Sequence, residues 1–446
     1  MPQQPFKTAQ QWIGRLVSAG MIVGWSALHG LPALSQSLSE KIVAMEQGLE
    51  QEFESYFGED LADVTQTPED IAQTLSRIAA ETGTKPAVLW AIPRGDHLHL
   101  VLLTPGGTPI VRDLYDVPDD ELQRVVNNFM LEASSVAPLR SRPAAEKLHQ
   151  WIIEPFESEF LVAEEIDTIL FCLGKGLRTI PISALHDGSQ FLIEKYSLTR
   201  IPAFNLIQTD YARVRQGRIL AMGASEFQEQ SPLPAVPTEL SNILWELSFS
   251  RPRDERWVGR SLLNQDFTRA NLEQHIRQDS PNIVHLATHA FFQAGNPDNS
   301  YIQFWDDRLQ LNDIQQVEWN TPSLDLLVLS ACRTAIGNDE AELGFAGLAL
   351  QSGVRSVLAS LWNVSDTGTL ALMSEFYRQI DSAPTKAEAL RQAQIKMLRG
   401  EVRYENEQLQ LSRGRLPLPD ELTTIAPHDL SSPYYWAGFT LISSPW

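Results

Sequence analysis

The sequence predicts an α/β protein with a largely parallel sheet that helices cover on both faces. Short apolar runs at 282–287, 324–330 and 355–360 alternate with helix-period segments in the C-terminal half. The apolar residues within each run are nearly continuous, as expected for strands buried on both faces rather than on one. Helical patterns occur at 238–248, 268–277, 342–352 and 366–381. This alternation favours crossover connections between parallel strands.

The N-terminal part of the chain predicts a helical appendage. Apolar residues at helical spacing indicate a helix over 38–57. A second helix is expected to begin at Thr67, with Pro68 in its first turn, and to end at Gly83. We therefore expect a helical module over 36–84, which could dock a regulatory protein partner.

From residue 86 the pattern changes, and it predicts an additional β-rich subdomain. Strands are predicted at 87–92, 98–103, 168–173, 179–185 and 190–196, and helices at 119–133 and 143–160. Asp187 and Gly188 are the residue types of a tight hairpin turn, and they lead into the last of these strands.

Composition limits the partners that the protein can bind. The 446 residues carry a formal net charge of −21, and phosphate binding needs a basic face, so no nucleic-acid partner is expected. The two cysteines, Cys172 and Cys332, are too few for a disulfide framework. Clustered Cys/His spacing is missing from the sequence, so no metal or other cofactor is expected in the chemistry.

Residues 1–35 have features of a targeting segment. A mildly apolar run at 16–28 follows Lys7 and Arg15, and small residues come at 33–35. A signal peptide and an N-terminal anchor or amphipathic helix explain this pattern equally well. An exported or membrane-associated protein is one expectation and a cytoplasmic protein is the other, and membrane contact requires that the segment be retained.

Two buried strands are predicted to end in reactive residues. One apolar run ends at His289 and another ends at Cys332, 43 residues later. The carboxyl ends of neighbouring parallel strands meet at one edge of the sheet, where ligands bind. A cysteine thiolate can attack a carbonyl there, while an imidazole takes the proton and returns it to the leaving amine. The backbone N–H groups of Cys332 and Ala290 are the candidate oxyanion donors, with Phe291 beside them.

Other residues of the same types have simpler explanations. Cys172 lies inside an apolar run, so core packing is expected. His285 precedes His289 by four residues and could share a zinc ion with it, but without a third ligand at a suitable spacing a core histidine is the better interpretation. His97 and His99 flank Leu98 and are expected to face solvent.

Five motifs together resemble the CHAT family of caspase-like peptidases, a clan that also holds caspases, metacaspases and separases. They are VHLATHAFF (284–292), LVLSACRTAIG (327–337), GLALQSGVRSVLASLWNVSD (347–366), ISALHDGSQFLIEKYSL (182–198) and SPYYWAGFTLIS (432–443). The family's catalytic histidine and cysteine fall on His289 and Cys332. Two positions differ: Ala290 stands where the clan often has glycine, and Ser330 stands where metacaspases have an acidic residue.

The resemblance covers about 85–446 and implies a caspase-like sheet, with an N-terminal pseudo-domain at 85–215 and a catalytic part at 216–446. It implies a cysteine endopeptidase that cleaves protein or peptide substrates through the dyad of Cys332 and His289. The helical module at 36–84 adds the expectation of a regulatory enzyme that a partner activates. The alternative is a caspase-like scaffold or sensor whose dyad is idle, because a fold does not guarantee a function.

Overall fold

The computed structural model describes most of the chain beyond its first 36 residues. The described residues are 37–61, 63–136, 141–211, 217–249, 252, 256–319, 324–334, 338–424, 426–427 and 429–446, with the side chains of 331–334 and 339 excepted. The predicted targeting segment at 1–35 lies outside them. Residues Leu38–Trp446 form one compact unit. Within the described part, no helix is long and apolar enough to cross a membrane.

A mixed sheet of thirteen strands runs through this unit. Its strands are β1 (Pro86–Pro93), β2 (Leu98–Leu103), β3 (Ile110–Leu114), β4 (Thr168–Leu173), β5 (Ser197–Ile201), β6 (Arg218–Gly223), β7 (Val258–Leu263), β8 (Ile283–Phe292), β9 (Tyr301–Gln303), β10 (Arg308–Gln310), β11 (Leu326–Thr334), β12 (Ser356–Ser360) and β16 (Phe439–Ser443). Strands β13 (Arg403–Glu405), β14 (Gln408–Gln410) and β15 (Arg415–Pro417) form a separate antiparallel sheet.

The order across the large sheet is β10-β9-β8-β11-β12-β16-β5-β4-β1-β2-β3, with β6 beside β8 and β7 outside β6. Most neighbouring strands are parallel, including β6 with β8, β8 with β11 and β11 with β12. Helices lie on the sheet, and the predicted α/β fold class is confirmed.

The helices are α1 (Leu38–Phe57), α2 (Pro68–Thr82), α3 (Asp119–Ala133), α4 (Pro143–Ile152), α5 (Glu154–Phe156), α6 (Leu192–Lys195), α7 (Val236–Leu244), α8 (Arg269–Asp279), α9 (Asp339–Ala346), α10 (Leu348–Ser352), α11 (Asp366–Gln379), α12 (Lys386–Leu398), α13 (Asp420–Thr423) and α14 (Pro433–Trp436). The predicted caps of α2 are confirmed. Thr67 Oγ1 accepts a hydrogen bond from the backbone N–H of Asp70 at 3.3 Å. Gly83 ends the helix at φ +74°, a conformation that glycine adopts without strain.

Helices α1 and α2 pack directly against the sheet. Their apolar stripes share one buried cluster with β1, β2 and β4, to which α1 contributes Ile42, Met45 and Leu49. The same face of α1 carries Glu46, which is fully buried. Its carboxylate accepts hydrogen bonds from Trp90 Nε1 at 2.6 Å and from the backbone and side-chain nitrogens of Asn205 at 3.0 and 3.1 Å. The N-terminal helices are therefore fastened to the sheet by both apolar and polar contacts.

The C-terminal strand joins the two halves of the sheet. Strand β16 lies antiparallel to β12 and parallel to β5. Arg200 of β5 is buried at this junction, and its guanidinium donates to Thr440 Oγ1 at 3.0 Å, to the carbonyl of Ile180 at 2.9 Å and to the carbonyl of Arg178. Distant parts of the chain are thereby held in one continuous sheet.

Two predicted elements are wrong because proline interrupts them. The helix predicted over 143–160 ends at Ile152 and is followed by a short helix and a wide turn, since Pro155 cannot donate within a continuous helix. The strand predicted over 179–185 is a buried loop with one 3₁₀ turn, in which the N–H of Ala184 bonds to the carbonyl of Pro181 at 2.8 Å.

The tight turn predicted at Asp187 and Gly188 is present, but the strand predicted after it, over 190–196, is wrong. A single antiparallel bridge joins His186 to Phe191, and the chain then forms α6 before it enters β5. The carboxylate of Asp187 accepts from the backbone of Ser189 at 2.7 Å, which stabilises a local loop.

Replacing Glu46 by alanine is expected to lower the free energy of unfolding by about 3 kcal/mol, because one buried donor, from Trp90, and two half-buried donors, from Asn205, lose their acceptor. Chemical denaturation measures this change. Glu81→Ala on α2 is the matched control, since the ion pair of Glu81 with Arg77 is exposed and should contribute less than about 1 kcal/mol. Equal effects of the two substitutions would contradict the role assigned to Glu46.

Candidate functional site

The candidate site is built on two neighbouring parallel strands, β8 and β11. Their ladder pairs Val328 with His285, shifts register between Leu329 and Ala331, and then pairs Ala331 with His289 and Cys332 with Ala290. Adjacent strands lie about 4.8 Å apart. The backbone of Cys332 is therefore one ladder position from that of His289, on the strand next to it.

Both strands continue beyond the residues at which they were predicted to end. Strand β8 runs on to Phe292 and β11 to Thr334. Beyond His289, β8 is paired on both sides, because Ala290 faces Cys332 in β11 and Ile302 in β9. The short hairpin of β9 and β10 thus extends the sheet beyond His289, the residue at which the apolar run of the sequence had placed the end of β8.

The imidazole of His289 is half-buried and has a defined hydrogen-bond partner. Its Nε2 lies 2.9 Å from the backbone carbonyl of Ser231. Because a carbonyl only accepts, Nε2 carries the proton, and Nδ1 of the neutral ring is the acceptor. The rings of Phe227 and Phe291 lie at centroid distances of 4.8 and 6.1 Å from the imidazole. This surrounding fixes both the tautomer and the orientation of the ring.

Burial lowers the pKa of His289 below its usual value, and the contact with the Ser231 carbonyl offsets only part of this effect. Desolvation disfavours the charged imidazolium because an apolar surrounding solvates it poorly. The ring is therefore neutral at pH 7, and Nδ1 is able to accept a proton there.

The Ser231 carbonyl is held in place by the loop that follows β6. Strand β6 approaches β8 closely at Gly223, where a Cβ atom would lie 2.5 Å from the carbonyl oxygen of Ala287. The loop is closed by a hydrogen bond from the N–H of Leu233 to the carbonyl of Ser225 at 2.9 Å. Sequence reasoning missed Ser231, because a main-chain carbonyl leaves no signal in residue type.

His285 is a buried core residue. Its Nδ1 lies 3.0 Å from the hydroxyl of Tyr377 on α11, and its Nε2 lies 3.0 Å from a carboxylate oxygen of Glu239 on α7. Both ring nitrogens therefore face partners from the helices above the strand. Among the described side chains, the group of three with metal-ligand spacing includes neither His285 nor His289.

Helix α9 follows the Cys332 segment and is anchored to the other half of the sheet. Its Glu342 is buried and accepts hydrogen bonds from Thr179 Oγ1 at 2.9 Å and from the backbone N–H of Gly176 at 3.2 Å. Both donors belong to the loop after β4. The start of α9 is capped by Asn338, whose side chain accepts from the N–H of Ala341 at 3.0 Å.

The N-terminal helix α1 packs against the same α9. At Gly347, where α9 ends, a Cβ atom would lie 2.5 Å from the ring of Phe57 and 3.0 Å from the carbonyl of Leu343. Gly347 has φ −87°, a backbone conformation that other residues also adopt. Glycine is needed at this position because a side chain would have no room. Helix α1 therefore contacts the element that directly follows the predicted nucleophile.

The acidic residues near the site form no common pocket among the described side chains. Asp306 and Asp307 are exposed in the turn between β9 and β10. Glu340 is exposed on α9 and accepts a hydrogen bond from the N–H of Gly295 at 2.7 Å. Ser330, where metacaspases carry an acidic residue, is buried.

Comparison with known proteins identifies a family. The sequence model of the CHAT domain matches residues 142–444. Two structures of the Saccharomyces cerevisiae separase–securin complex are similar, one at 12% identity with a TM-score of 0.49 and one at 11% with a TM-score of 0.51. Each match covers 92% of this chain and 34% of the other chain, so the protein spans about a third of that length. No curated protein sequence matches.

The burial of Cys172 predicts how this thiol reacts. Cys172 is fully buried in β4, its Sγ lies 3.3 Å from the carbonyl of Pro202, and desolvation raises the pKa of the thiol well above its usual value. In a Cys332→Ala variant, we expect a water-soluble thiol reagent to leave the native protein unlabelled and to label one thiol after denaturation. Rapid labelling of the native variant would contradict the burial of Cys172.

Proposed function

Because this chain belongs to the CHAT domain family, a caspase-like protease family, we propose that it is a cysteine endopeptidase. Cys332 is the nucleophile, and His289 is the general base and then the general acid. The observation that carries the proposal is the register of β8 and β11, which brings the backbone of Cys332 beside that of a neutral, oriented His289. Proteins or peptides are the substrates.

In the proposed reaction, Sγ of Cys332 attacks the scissile carbonyl carbon and its proton passes to Nδ1 of His289. The C–N bond then breaks, and the imidazolium protonates the leaving amine. Water attacks the resulting thioester with His289 again as base, which releases the carboxylic acid and restores the thiol. The carbonyl of Ser231 stabilises the transient imidazolium because it accepts from Nε2 throughout.

The oxyanion of the tetrahedral intermediate needs hydrogen-bond donors that are already in place. We assign this role to the backbone N–H groups of Cys332 and Ala290. Ala290 pairs with Cys332 in β11 and with Ile302 in β9, so its N–H reaches an oxyanion only if one of these two ladders opens beside His289 when the substrate binds.

We further propose that a protein partner regulates the enzyme through the helical module at 36–84. The contact of Phe57 with α9 at Gly347 supports this, because a partner that moves α1 would also move the helix after Cys332. The similar yeast chain was solved in complex with securin, which is consistent with a protein partner for this fold. The division into a pseudo-domain at 85–215 and a catalytic part at 216–446 belongs to the same proposal.

Substitution of the nucleophile tests the proposed activity. Cys332→Ala and His289→Ala are each expected to abolish cleavage of a peptide library while the thermal unfolding midpoint stays unchanged within a few degrees. Cys172→Ala is the matched control and should retain cleavage. If the unmodified protein cleaves no peptide and Cys332 reacts with a peptide-based thiol probe as slowly as Cys172, the protein is a scaffold and the enzyme assignment fails.

The low pKa of His289 predicts the pH dependence of cleavage. The base is active only when neutral, so activity is lost as the pH falls through the pKa of His289, and a lowered pKa keeps the enzyme active to lower pH. We expect the acidic limb of kcat/KM to have its midpoint below about 6.5, the ordinary histidine value. A midpoint at or above that value, in a pH range where the protein remains folded, would contradict the assignment.

Adding a side chain at Gly347 tests whether α1 is coupled to the proposed active site. Gly347→Ala is expected to displace Phe57 and to change cleavage at least about tenfold, since small displacements of catalytic groups cost large factors in rate. Phe57→Ala in the same chain should restore part of the activity by making room. Gly48→Ala, where a Cβ atom meets nothing within 4 Å, is the control on α1 and should leave activity unchanged. An unchanged rate in Gly347→Ala would exclude this coupling.

A further inference from the structure

The far edge of the sheet carries a cluster of histidines and carboxylates that the proposed chemistry does not use. Strands β2 and β3 end the sheet on the side away from β8, and their antiparallel ladder pairs His99 with Asp113. His97 directly precedes β2. With one residue between them, His97 and His99 can project to the same face.

The ligand atoms of these three residues converge. Nδ1 of His99 lies 2.5 Å from Oδ1 of Asp113, and Nε2 of His97 lies 3.5 Å from the same oxygen. All three ligand atoms lie within 4.8 Å of one another. Tetrahedral zinc with bonds near 2.0–2.1 Å holds its nitrogen and oxygen ligands roughly 3.3 Å apart. The contact of His97 with Asp113 is close to this spacing, whereas the carboxylate has to move away from His99 for both groups to bind one ion.

A second carboxylate orients the first histidine. Nδ1 of His97 lies 2.7 Å from Oδ1 of Asp96, which leaves Nε2 directed towards Asp113. A carboxylate that accepts from the outer nitrogen of a ligating imidazole is the usual support of a metal-bound histidine. The ring of Tyr115 packs on His97 at a centroid distance of 4.7 Å and restricts the imidazole further.

We propose that His97, His99 and Asp113 bind one divalent transition-metal ion of the zinc type, with Asp96 positioning His97. Two imidazoles and one carboxylate suit zinc and its neighbours, whereas calcium and magnesium prefer oxygen ligands alone. Three protein ligands leave a coordination position for water. Because the ligands come from both strands, the bound ion would cross-link β2 to β3 and stabilise the folded chain.

Zinc binding to a protein that lacks the proposed nucleophile tests this site. The full chain with Cys332→Ala is titrated with zinc chloride against a chromophoric chelator, so that a thiolate at the candidate active site cannot bind the metal. We expect one equivalent to bind and to raise the thermal unfolding midpoint, and we expect magnesium to do neither. His97→Gln and His99→Gln should each abolish the tight binding, and Asp96→Asn should weaken it about tenfold.

His275→Gln is the matched control, because Nδ1 of His275 also lies 2.8 Å from a carboxylate, that of Asp279, but without a second histidine in the group. It should leave zinc binding unchanged. The thermal unfolding of each variant is measured in the presence of a chelator, to show that its metal-free fold is intact.

The absorption spectrum of cobalt bound to the Cys332→Ala protein reports the ligands independently and should show nitrogen and oxygen coordination. The absence of saturable zinc binding, or an unchanged affinity in the His97→Gln/His99→Gln variant, would overturn the proposal.

Discussion

The parallel pairing of β8 with β11 is the constraint on which the candidate site depends. Strand β8 carries His289 and strand β11 carries Cys332, the two residues proposed to act as base and nucleophile. The register shift between Leu329 and Ala331 sets which residue of β11 lies opposite His289. Because side chains alternate along a strand, a slip of one residue would exchange every side chain between the two faces. Elements on both faces of the sheet hold this pairing in place.

On one side of the pairing, α7 and α11 direct Glu239 and Tyr377 at His285, four residues before His289. On the other side, α9 is held by Glu342, whose hydrogen-bond donors belong to the N-terminal half of the sheet. Residues far apart in the chain thus act on the same short stretch of backbone. The N-terminal half and α1 are therefore structural supports of the candidate site.

The sequence predicted the buried strands and amphipathic helices well, because burial imposes a periodicity that residue types reveal. Helix α1 and the cap of α2 at Thr67 were found in this way.

The sequence-based prediction of a strand failed where an apolar segment is buried without being a strand, as in 179–185. Apolarity reports burial, whereas a strand also requires a neighbouring edge with which it can pair, and the proline at position 181 removes one donor from such a ladder.

The amino-acid sequence by itself determined the α/β class, the two strands that carry His289 and Cys332, and the family. These depend on local apolar patterns and on side chains that chemistry requires. Only the tertiary structure decided that Ser231 orients His289, that β8 continues past it as a paired strand, and that α1 rests on α9. The reason is physical: main-chain carbonyls, strand ends and close approaches at glycine depend on which distant segments come together, and residue type alone does not encode them.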